Sequence, residues 1–191
     1  PRILFLGLLG MYLALFCWAK LLKPAKLKSR QFKVTEVTRL NHDTWNLSLK
    51  PTGENFRYLP GQFAFLSLFR EGEKRSEHPF TISSSPTDGK CISFTIKESG
   101  DFTNTIGGTK PGDLALVEAP FGRFSYLKLP PFDRLVMIAG GVGITPILSC
   151  LRDMAASGFA RPLTLIWANK TTDDIFLESE LSELIAALPD L

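Results

Sequence analysis

Cysteine and histidine are scarce in this chain of 191 residues, which holds three cysteines and two histidines. Cys17, Cys91 and Cys150 are far apart and form no C-x-x-C pair. Zinc and iron–sulfur sites need clustered ligands, so the sequence predicts no metal site. The formal net charge is only +3 and no arginine-rich tract is present, which argues against nucleic acid as a partner.

One long apolar run stands out from this ordinary composition, at residues 3–19 (ILFLGLLGMYLALFCWA). As a helix it would extend about 26 Å, close to the roughly 30 Å hydrocarbon core of a bilayer. Basic residues flank it at Arg2, Lys20, Lys23, Lys26, Lys28 and Arg30. The pattern predicts a transmembrane helix and basic linker over residues 1–30, with the rest of the chain on the cytoplasmic side of a membrane. A signal peptide is disfavoured because lysines replace the cleavage site, and a buried helix of a soluble protein is the other alternative.

Residues 31–130 read as β structure. Apolar and polar residues alternate with period two, and turn residues separate the runs. The predicted strands cover residues 31–40, 44–51, 62–69, 91–98 and 113–120. Short strands at this spacing favour a closed antiparallel barrel.

Beyond Pro130 and Pro131 the pattern changes to alternating strands and helices over residues 131–191. Strands are predicted at 135–139 and 163–169, and helices at 145–156 and 176–188. This β-α-β-α order is typical of an open parallel sheet with helices on its faces. Two strands are too few for a complete sheet of this type, so we expect the domain to be incomplete in this chain.

The turn between the first of these strands and its helix carries Gly140, Gly141 and Gly143. Glycines allow the backbone to approach a ligand closely. Thr145 is a candidate N-cap, and Pro146 suits the first helical turn. A helix that begins at the end of a parallel strand presents free N–H groups to a phosphate. The turn therefore predicts a nucleotide pyrophosphate site, with a tight connection that binds nothing as the alternative.

The run HPFTISSSP at residues 78–86 is a second candidate site. Phe80 offers an apolar wall to a flavin ring, and Thr81 offers a hydroxyl to its N5/O4 edge. The alternative is a strand end followed by a serine-rich turn. Farther along, the Gly100 turn and the Thr103 hydroxyl suit a pyrophosphate, with Lys97 adding positive charge, although a solvated loop explains the same pattern.

Five motifs in order carry a family resemblance: PGQF (60–63), HPFTISS (78–84), GDFT (100–103), EAPFG (118–122) and GGVGITP (140–146). Together they resemble the ferredoxin–NADP⁺ reductase superfamily, and within it the branch of ferric reductases and NADPH oxidases. The resemblance covers about residues 31–191. It implies a six-stranded flavin-binding barrel followed by a truncated nucleotide-binding domain.

The resemblance also implies roles for particular residues. It places Thr81 beside flavin N5, where it tunes hydride transfer. His78 stands where soluble members carry an arginine, and Phe102 replaces a tryptophan. The implied FAD contacts are His78, Pro79, Phe80, Thr81, Ser84, Lys97, Gly100, Phe102 and Thr103. The implied nucleotide contacts are Gly140, Gly141, Val142, Gly143, Ile144, Thr145, Pro146 and Lys170.

The activity implied is hydride transfer from NAD(P)H to FAD, followed by single-electron transfer. One reading is a membrane flavocytochrome that reduces ferric iron or dioxygen through haem in helices upstream of this chain, since residues 3–19 contain no histidine. An alternative is a reductase component that serves a soluble or membrane partner such as an oxygenase. A further alternative is a non-enzymatic membrane-tethered module. Lys170 favours NADPH over NADH and Asp173 and Asp174 oppose it, so the preference for NADPH is slight.

Overall fold

The computed structural model describes residues 2–18, 30–54, 56–72 and 75–188. Helix α1 covers Arg2–Cys17. Its 16 residues reach about 24 Å at 1.5 Å per residue, less than the predicted span. In these ranges no helix has both the length and the apolar character that crossing a membrane requires. The predicted transmembrane helix over residues 3–19 is therefore not found among the described residues, which include neither residue 19 nor the basic linker up to residue 29.

Six antiparallel strands form the predicted barrel. They are β1 (Gln31–Arg39), β2 (Thr44–Pro51), β3 (Phe63–Phe69), β4 (His78–Thr81), β5 (Ile92–Lys97) and β6 (Leu114–Phe121). Their order in the sheet is β4-β3-β6-β1-β2-β5. A bridge between Ile82 and Phe94 joins the two outer strands, and Ser83 N donates to Ser93 O at 2.8 Å. These contacts close the sheet on itself.

Alternate residues of the strands fill the barrel, as the period-two pattern predicts. Leu47 and Leu49 on β2 are fully buried, and Trp45 packs against the same core. The largest fully buried side chains here are Phe32, Leu47, Leu49, Leu66, Ile82, Ile92, Phe94, Ile96 and Ile106. This packed interior makes the barrel a rigid support for β4.

The second unit has two parallel strands and two helices. Its elements are β7 (Leu135–Gly140), α2 (Thr145–Ser157), β8 (Leu163–Ala168) and α3 (Glu178–Ala187). Strands β7 and β8 pair in parallel from Leu135↔Leu163 to Gly140↔Ala168. Gly158 ends α2 in the left-handed conformation, as its position predicts. Two paired strands are what the sequence predicts, and the domain boundaries at 30 and 130 stay predictions.

Candidate functional site

The glycine turn lies where β7 meets α2. Residues Gly141–Ile144 form a 3₁₀ turn that leads directly into α2. Gly141 has φ +48°, a conformation that favours glycine. A Cβ added at Gly140, Gly141 or Gly143 would meet no atom within 4 Å. The backbone is therefore open to a ligand along this turn.

The predicted N-cap at Thr145 is wrong. The N-cap is Ile144, and Thr145 is the first residue of α2 with φ −54° and ψ −44°. Ile144 already has helical dihedrals because the 3₁₀ turn continues into the helix. Thr145 is 6% exposed and Ile144 is fully buried, so neither side chain presents itself at the surface of the turn. Pro146 lies in the first helical turn, as predicted.

Two residues of this site are not among the predicted nucleotide contacts, although Asn169 lies in the segment after the second strand where a 2′-phosphate is expected. The indole N–H of Trp167, on β8, donates to Gly141 O at 2.8 Å and so fixes the turn from the neighbouring strand. Asn169 follows β8, and both polar atoms of its side chain are buried without a hydrogen-bond partner among the described residues. A buried unpaired amide is costly, and a bound polar ligand would relieve that cost. The position of Asn169 at the carboxyl end of a parallel strand was the available signal.

The loop after β8 is organised by Asp174. Its carboxylate accepts hydrogen bonds from the backbone N–H and the hydroxyl of Thr171, at 3.2 and 3.0 Å. Lys97 of the barrel approaches the other oxygen at 3.2 Å. Lys170 and Asp173 are exposed. Of the two acids that oppose a 2′-phosphate, Asp174 is therefore already neutralised.

Strand β4 presents Thr81 at its end. Thr81 pairs with Phe63 of β3 and is half-buried. Among the described residues, no side-chain hydrogen bond engages its hydroxyl, so that group is available to a ligand. Pro79 is exposed beside it and Phe80 is half-buried.

Gln62, in the PGQF motif, is hydrogen-bonded to the residue that follows Thr81, and it is not among the predicted cofactor contacts. Its carbonyl oxygen accepts from the N–H of Ile82 at 3.0 Å, next to Thr81. Its side-chain amide donates to Gly122 O at 2.8 Å and accepts from Leu59 N at 2.8 Å. One buried glutamine thus joins the PGQF, HPFT and EAPFG segments.

Three aromatic rings, two of them from β4, pack together in what we call the aromatic shelf (His78, Phe80 and Phe102). His78 stacks on Phe102 with ring centroids 4.0 Å apart and planes 20° from parallel. The rings of Phe80 and Phe102 are 6.1 Å apart and 25° from parallel. Arg70 is 8% exposed, and its guanidinium carbon lies over the Phe102 ring, 5.1 Å from the ring centroid. The shelf offers flat apolar surface of the kind that a flavin needs.

The GDFT loop uses its predicted ligand groups internally. The Thr103 hydroxyl accepts from Ser99 N at 2.9 Å and donates to Gly100 O at 3.2 Å. Arg70 donates to both the carbonyl and the hydroxyl of Thr105. A Cβ on Gly100 would meet nothing within 4 Å. The loop is thus preformed, and its role with a pyrophosphate stays a prediction that rests on its backbone.

Lys97 does not supply the free positive charge that the sequence predicts. Its ammonium lies 3.0 Å from Asp43 and 3.2 Å from Asp174, which joins the barrel to the loop after β8. Hydrogen bonds to Asp43 and Asp174 raise the pKa of Lys97. The hydrogen bond from Lys97 lowers the pKa of Asp174. Burial acts to raise the pKa of Asp43, but hydrogen bonds from Lys97 and Thr44 outweigh it and the pKa is lowered.

His42 brings a third ligand-type group close to Asp43 and Asp174. The Lys97 ammonium already occupies both carboxylates, so we interpret this cluster as an ion-pair network and not as a cation site. Sequence spacing did not indicate it.

Ser84 is also placed differently from its predicted cofactor contact. It is 7% exposed, and its hydroxyl lies 2.9 Å from Tyr58 Oη and accepts from Ser93 N at 3.0 Å. Its carbonyl accepts from the Ser149 hydroxyl at 2.7 Å. Ser84 therefore joins the barrel to α2 and is not exposed to a ligand.

The two sites fit the two cofactors that the sequence predicts. The aromatic shelf and the unengaged Thr81 hydroxyl suit a flavin ring and its polar edge. The open backbone at Gly140–Gly143 and the unpaired Asn169 amide suit a dinucleotide.

Comparison with known proteins agrees with this division. Residues 29–109 match the family model of an FAD-binding domain, and residues 137–191 match that of an oxidoreductase NAD-binding domain. The chain is 31% identical over 175 residues to the reductase component of propane 2-monooxygenase from Mycolicibacterium goodii, covering 90% of this chain and 49% of that protein. It spans about half the length of the curated relatives it matches.

Two solved structures share the fold. The FAD/NAD-binding domain of nitric oxide dioxygenase from Vibrio cholerae O1 biovar El Tor superposes with a TM-score of 0.74 at 24% identity, covering 83% of this chain and 70% of that one. A ferredoxin NADP⁺ reductase from Neisseria gonorrhoeae superposes with a TM-score of 0.69 at 20% identity, covering 80% and 62% of the two chains.

Proposed function

The chain belongs to the ferredoxin–NADP⁺ reductase superfamily, and on that premise we propose that it takes hydride from NAD(P)H onto FAD and passes electrons singly to an acceptor. FAD-binding and NAD(P)H-binding domains are both present. The observation that carries the proposal is the pairing of two open sites in one chain. Thr81 offers an unengaged hydroxyl beside the aromatic shelf, and the glycine turn offers open backbone at Gly140–Gly143.

The cofactors supply the redox chemistry, so the role of this chain's residues is to position and polarise the cofactors. Bound FAD accepts a hydride and releases electrons one at a time. Thr81 donates a hydrogen bond to the polar edge of the flavin ring, and the aromatic shelf covers an apolar face of the ring. The glycine turn binds the pyrophosphate of the nicotinamide nucleotide through backbone N–H groups.

For the acceptor, we favour a partner protein of the oxygenase type. The support is the likeness to a monooxygenase reductase component over 90% of this chain. In this function the chain is a reductase component, and the partner carries out the oxygenation.

A decisive experiment is anaerobic stopped-flow spectroscopy of the FAD-reconstituted protein mixed with NADH or NADPH. We expect rapid bleaching of the flavin absorbance, followed by reoxidation when a one-electron acceptor such as ferricyanide is added. A protein that binds FAD but is not reduced by either nucleotide would contradict the proposal. A protein that binds no FAD would favour the non-enzymatic module.

The choice of nucleotide is a separate proposal. Lys170 is exposed, and Asp174 is neutralised by Lys97, so the charge facing a 2′-phosphate is more favourable than the sequence alone suggests. We therefore favour NADPH. Lys170→Glu should lower kcat/KM for NADPH about tenfold and leave that for NADH nearly unchanged, whereas an equal loss for both would contradict this role.

A second candidate function is the dehydrogenase portion of a membrane flavocytochrome. The observation that favours it is α1, whose large apolar side chains from Leu4 to Phe16 are 44–71% exposed on all sides of the helix. An unpartnered helix of this kind suits lipid, which would place the two domains at the cytoplasmic face of a membrane. Flotation of the protein with phospholipid vesicles, compared with a variant lacking residues 1–18, tests the attachment. A reduced-haem band in membranes that carry the full-length protein tests electron flow to haem, and flavin bleaching there without such a band would exclude the flavocytochrome.

A further inference from the structure

Helix α2 carries an unexpected polar face where it meets the barrel. Ser149, Arg152 and Asp153 are spaced three and four residues apart and so lie on one side of the helix. Ser149 is fully buried and Asp153 is only 6% exposed. Polar residues of a surface helix usually face water, so their burial here needs a structural reason.

The reason is a set of hydrogen bonds to consecutive residues that follow β4. Arg152 donates to Ser83 O at 2.5 Å and Ser149 donates to Ser84 O at 2.7 Å. Asp153 accepts from the Ser85 hydroxyl at 3.2 Å. The helix and the segment are therefore locked in one register.

The Asp153 carboxylate accepts three hydrogen bonds in this region. One of its oxygens accepts from Ser85 and also from the Thr87 hydroxyl at 2.7 Å, and the other accepts from Tyr126 Oη at 2.8 Å. Burial and the hydrogen bond to Asp153 raise the pKa of Tyr126 to about 12, so the phenol stays a donor at neutral pH. The Asp153 carboxylate thus connects α2 to the residues that follow β4, through Ser85 and Thr87, and to the residues that follow β6, through Tyr126.

The two segments in this contact, the residues after β4 and helix α2, are each continuous in the chain with a candidate cofactor site. Ser83 is two residues from Thr81, which ends β4. Ser149 lies about one helical turn from Thr145, where the glycine turn becomes α2. Movement of α2 along the segment would therefore change the separation between the glycine turn and Thr81.

We propose that Asp153 is a positioning residue for hydride transfer, which sets the distance between the nucleotide held by the glycine turn and the flavin beside Thr81. The proposal rests on the function proposed above. It assigns Asp153 no contact with either cofactor. Rates of hydride transfer are sensitive to small displacements, and a shift of about 1 Å can cost on the order of 100-fold.

The test is Asp153→Asn, studied by anaerobic stopped flow at saturating nucleotide. The amide can accept on only one of its two polar atoms, so part of the lock is lost at constant side-chain size. We expect flavin reduction to be at least about tenfold slower, with a changed deuterium isotope effect and with dissociation constants for FAD and nucleotide within about twofold of the original values. Asp133→Asn, at an exposed carboxylate of the same domain to which no cofactor role is assigned, is the matched control and should leave the rate unchanged.

A second variant protects the test against a folding defect at the buried position. Thr87 is exposed, and Thr87→Val removes the shorter of the two hydrogen bonds to one oxygen of Asp153. It should therefore slow flavin reduction, as Asp153→Asn does. Unchanged rates in both variants would overturn the proposal, as would a loss confined to FAD binding or thermal stability. If the unmodified protein itself is not reduced by NADH or NADPH, the proposed function fails, which is a different result from equal rates in protein and variants.

Discussion

The indole N–H of Trp167 donates a 2.8 Å hydrogen bond to the carbonyl oxygen of Gly141, so the second parallel strand holds the turn that follows the first. The indole also packs edge-on against Phe176 at 5.3 Å. Trp167→Phe should keep the packing and lose the hydrogen bond, which is worth about 1 kcal/mol. We expect nucleotide affinity to fall about fivefold in an equilibrium titration. Trp45→Phe, which removes an indole hydrogen bond to Glu98 in the barrel, should leave nucleotide affinity unchanged.

Gly143→Ala tests the placement of the pyrophosphate. The added methyl meets no protein atom within 4 Å, so thermal stability should be retained. A phosphate bound at the turn would meet the methyl, and we expect nucleotide affinity to fall at least about tenfold. Gly108→Ala is a fair comparison because its methyl is equally unobstructed within the barrel domain. Equal affinity for the two variants would place the pyrophosphate elsewhere.

Thr81→Ala should slow flavin reduction about tenfold, because a preorganised hydrogen bond to the flavin edge is lost. Thr81→Ser keeps the hydroxyl and should restore most of the rate. Stopped-flow measurement on both variants with FAD fully bound separates the effect from weak flavin binding. A serine variant as slow as the alanine variant would argue for the methyl group and against the hydroxyl.

The Lys97 ion pairs predict a defined dependence of thermal stability on pH. The pKa values of Asp43 and Asp174 are lowered from 3.8, so their contribution is present above about pH 3.8 and is lost as pH falls through the lowered values. The pKa of Lys97 is raised from 10.5, so its contribution is present below about pH 10.5 and is lost as pH rises through the raised value. Thermal melts of Lys97→Met should show a weaker decline in Tm at the acidic end than the unmodified protein. Parallel melting curves for the two proteins below about pH 4 would count against the network.

Gly61→Ala should destabilise the barrel. Gly61 has φ +89°, and an added Cβ would lie 2.7 Å from the backbone oxygen of Phe124. The conformational penalty and the clash together predict a loss of about 2–4 kcal/mol in the free energy of unfolding. Urea denaturation followed by tryptophan fluorescence measures it. Gly72 also has positive φ, but a Cβ added there would meet no atom of the described residues within 4 Å, so comparing Gly72→Ala with Gly61→Ala isolates the clash.

Local patterns in the sequence predicted five of the six barrel strands and both strands and both helices of the second unit, but they did not predict β4. The alternation of apolar and polar residues over 44–51 predicted both ends of β2 correctly. One face of that strand is buried, and a period of two follows from that burial. The glycine turn and the Gly158 helix end were equally local signals. The N-cap prediction at Thr145 was wrong because capping rules assume that irregular backbone precedes the helix, whereas a 3₁₀ turn precedes α2.

The partners of polar side chains could not be predicted in the same way. Lys97 meets Asp43 and Asp174, which are 54 and 77 residues away in sequence. Nothing in the spacing of the chain shows which charges the two domains bring together. The ion pairs of Lys97 were therefore not foreseen, and neither was the buried role of Asp153.

The segment from Thr81 to Ser85 has no room for a change in length. Its first residue, Thr81, is the proposed flavin contact, and its last three residues are each hydrogen-bonded to α2. Removing one residue would displace every later contact by up to about 3.6 Å along the chain, so the three hydrogen bonds to α2 could not all form. Insertions and deletions among natural variants should therefore collect in the Arg70–Glu77 connection and spare these five positions, whatever residues fill them.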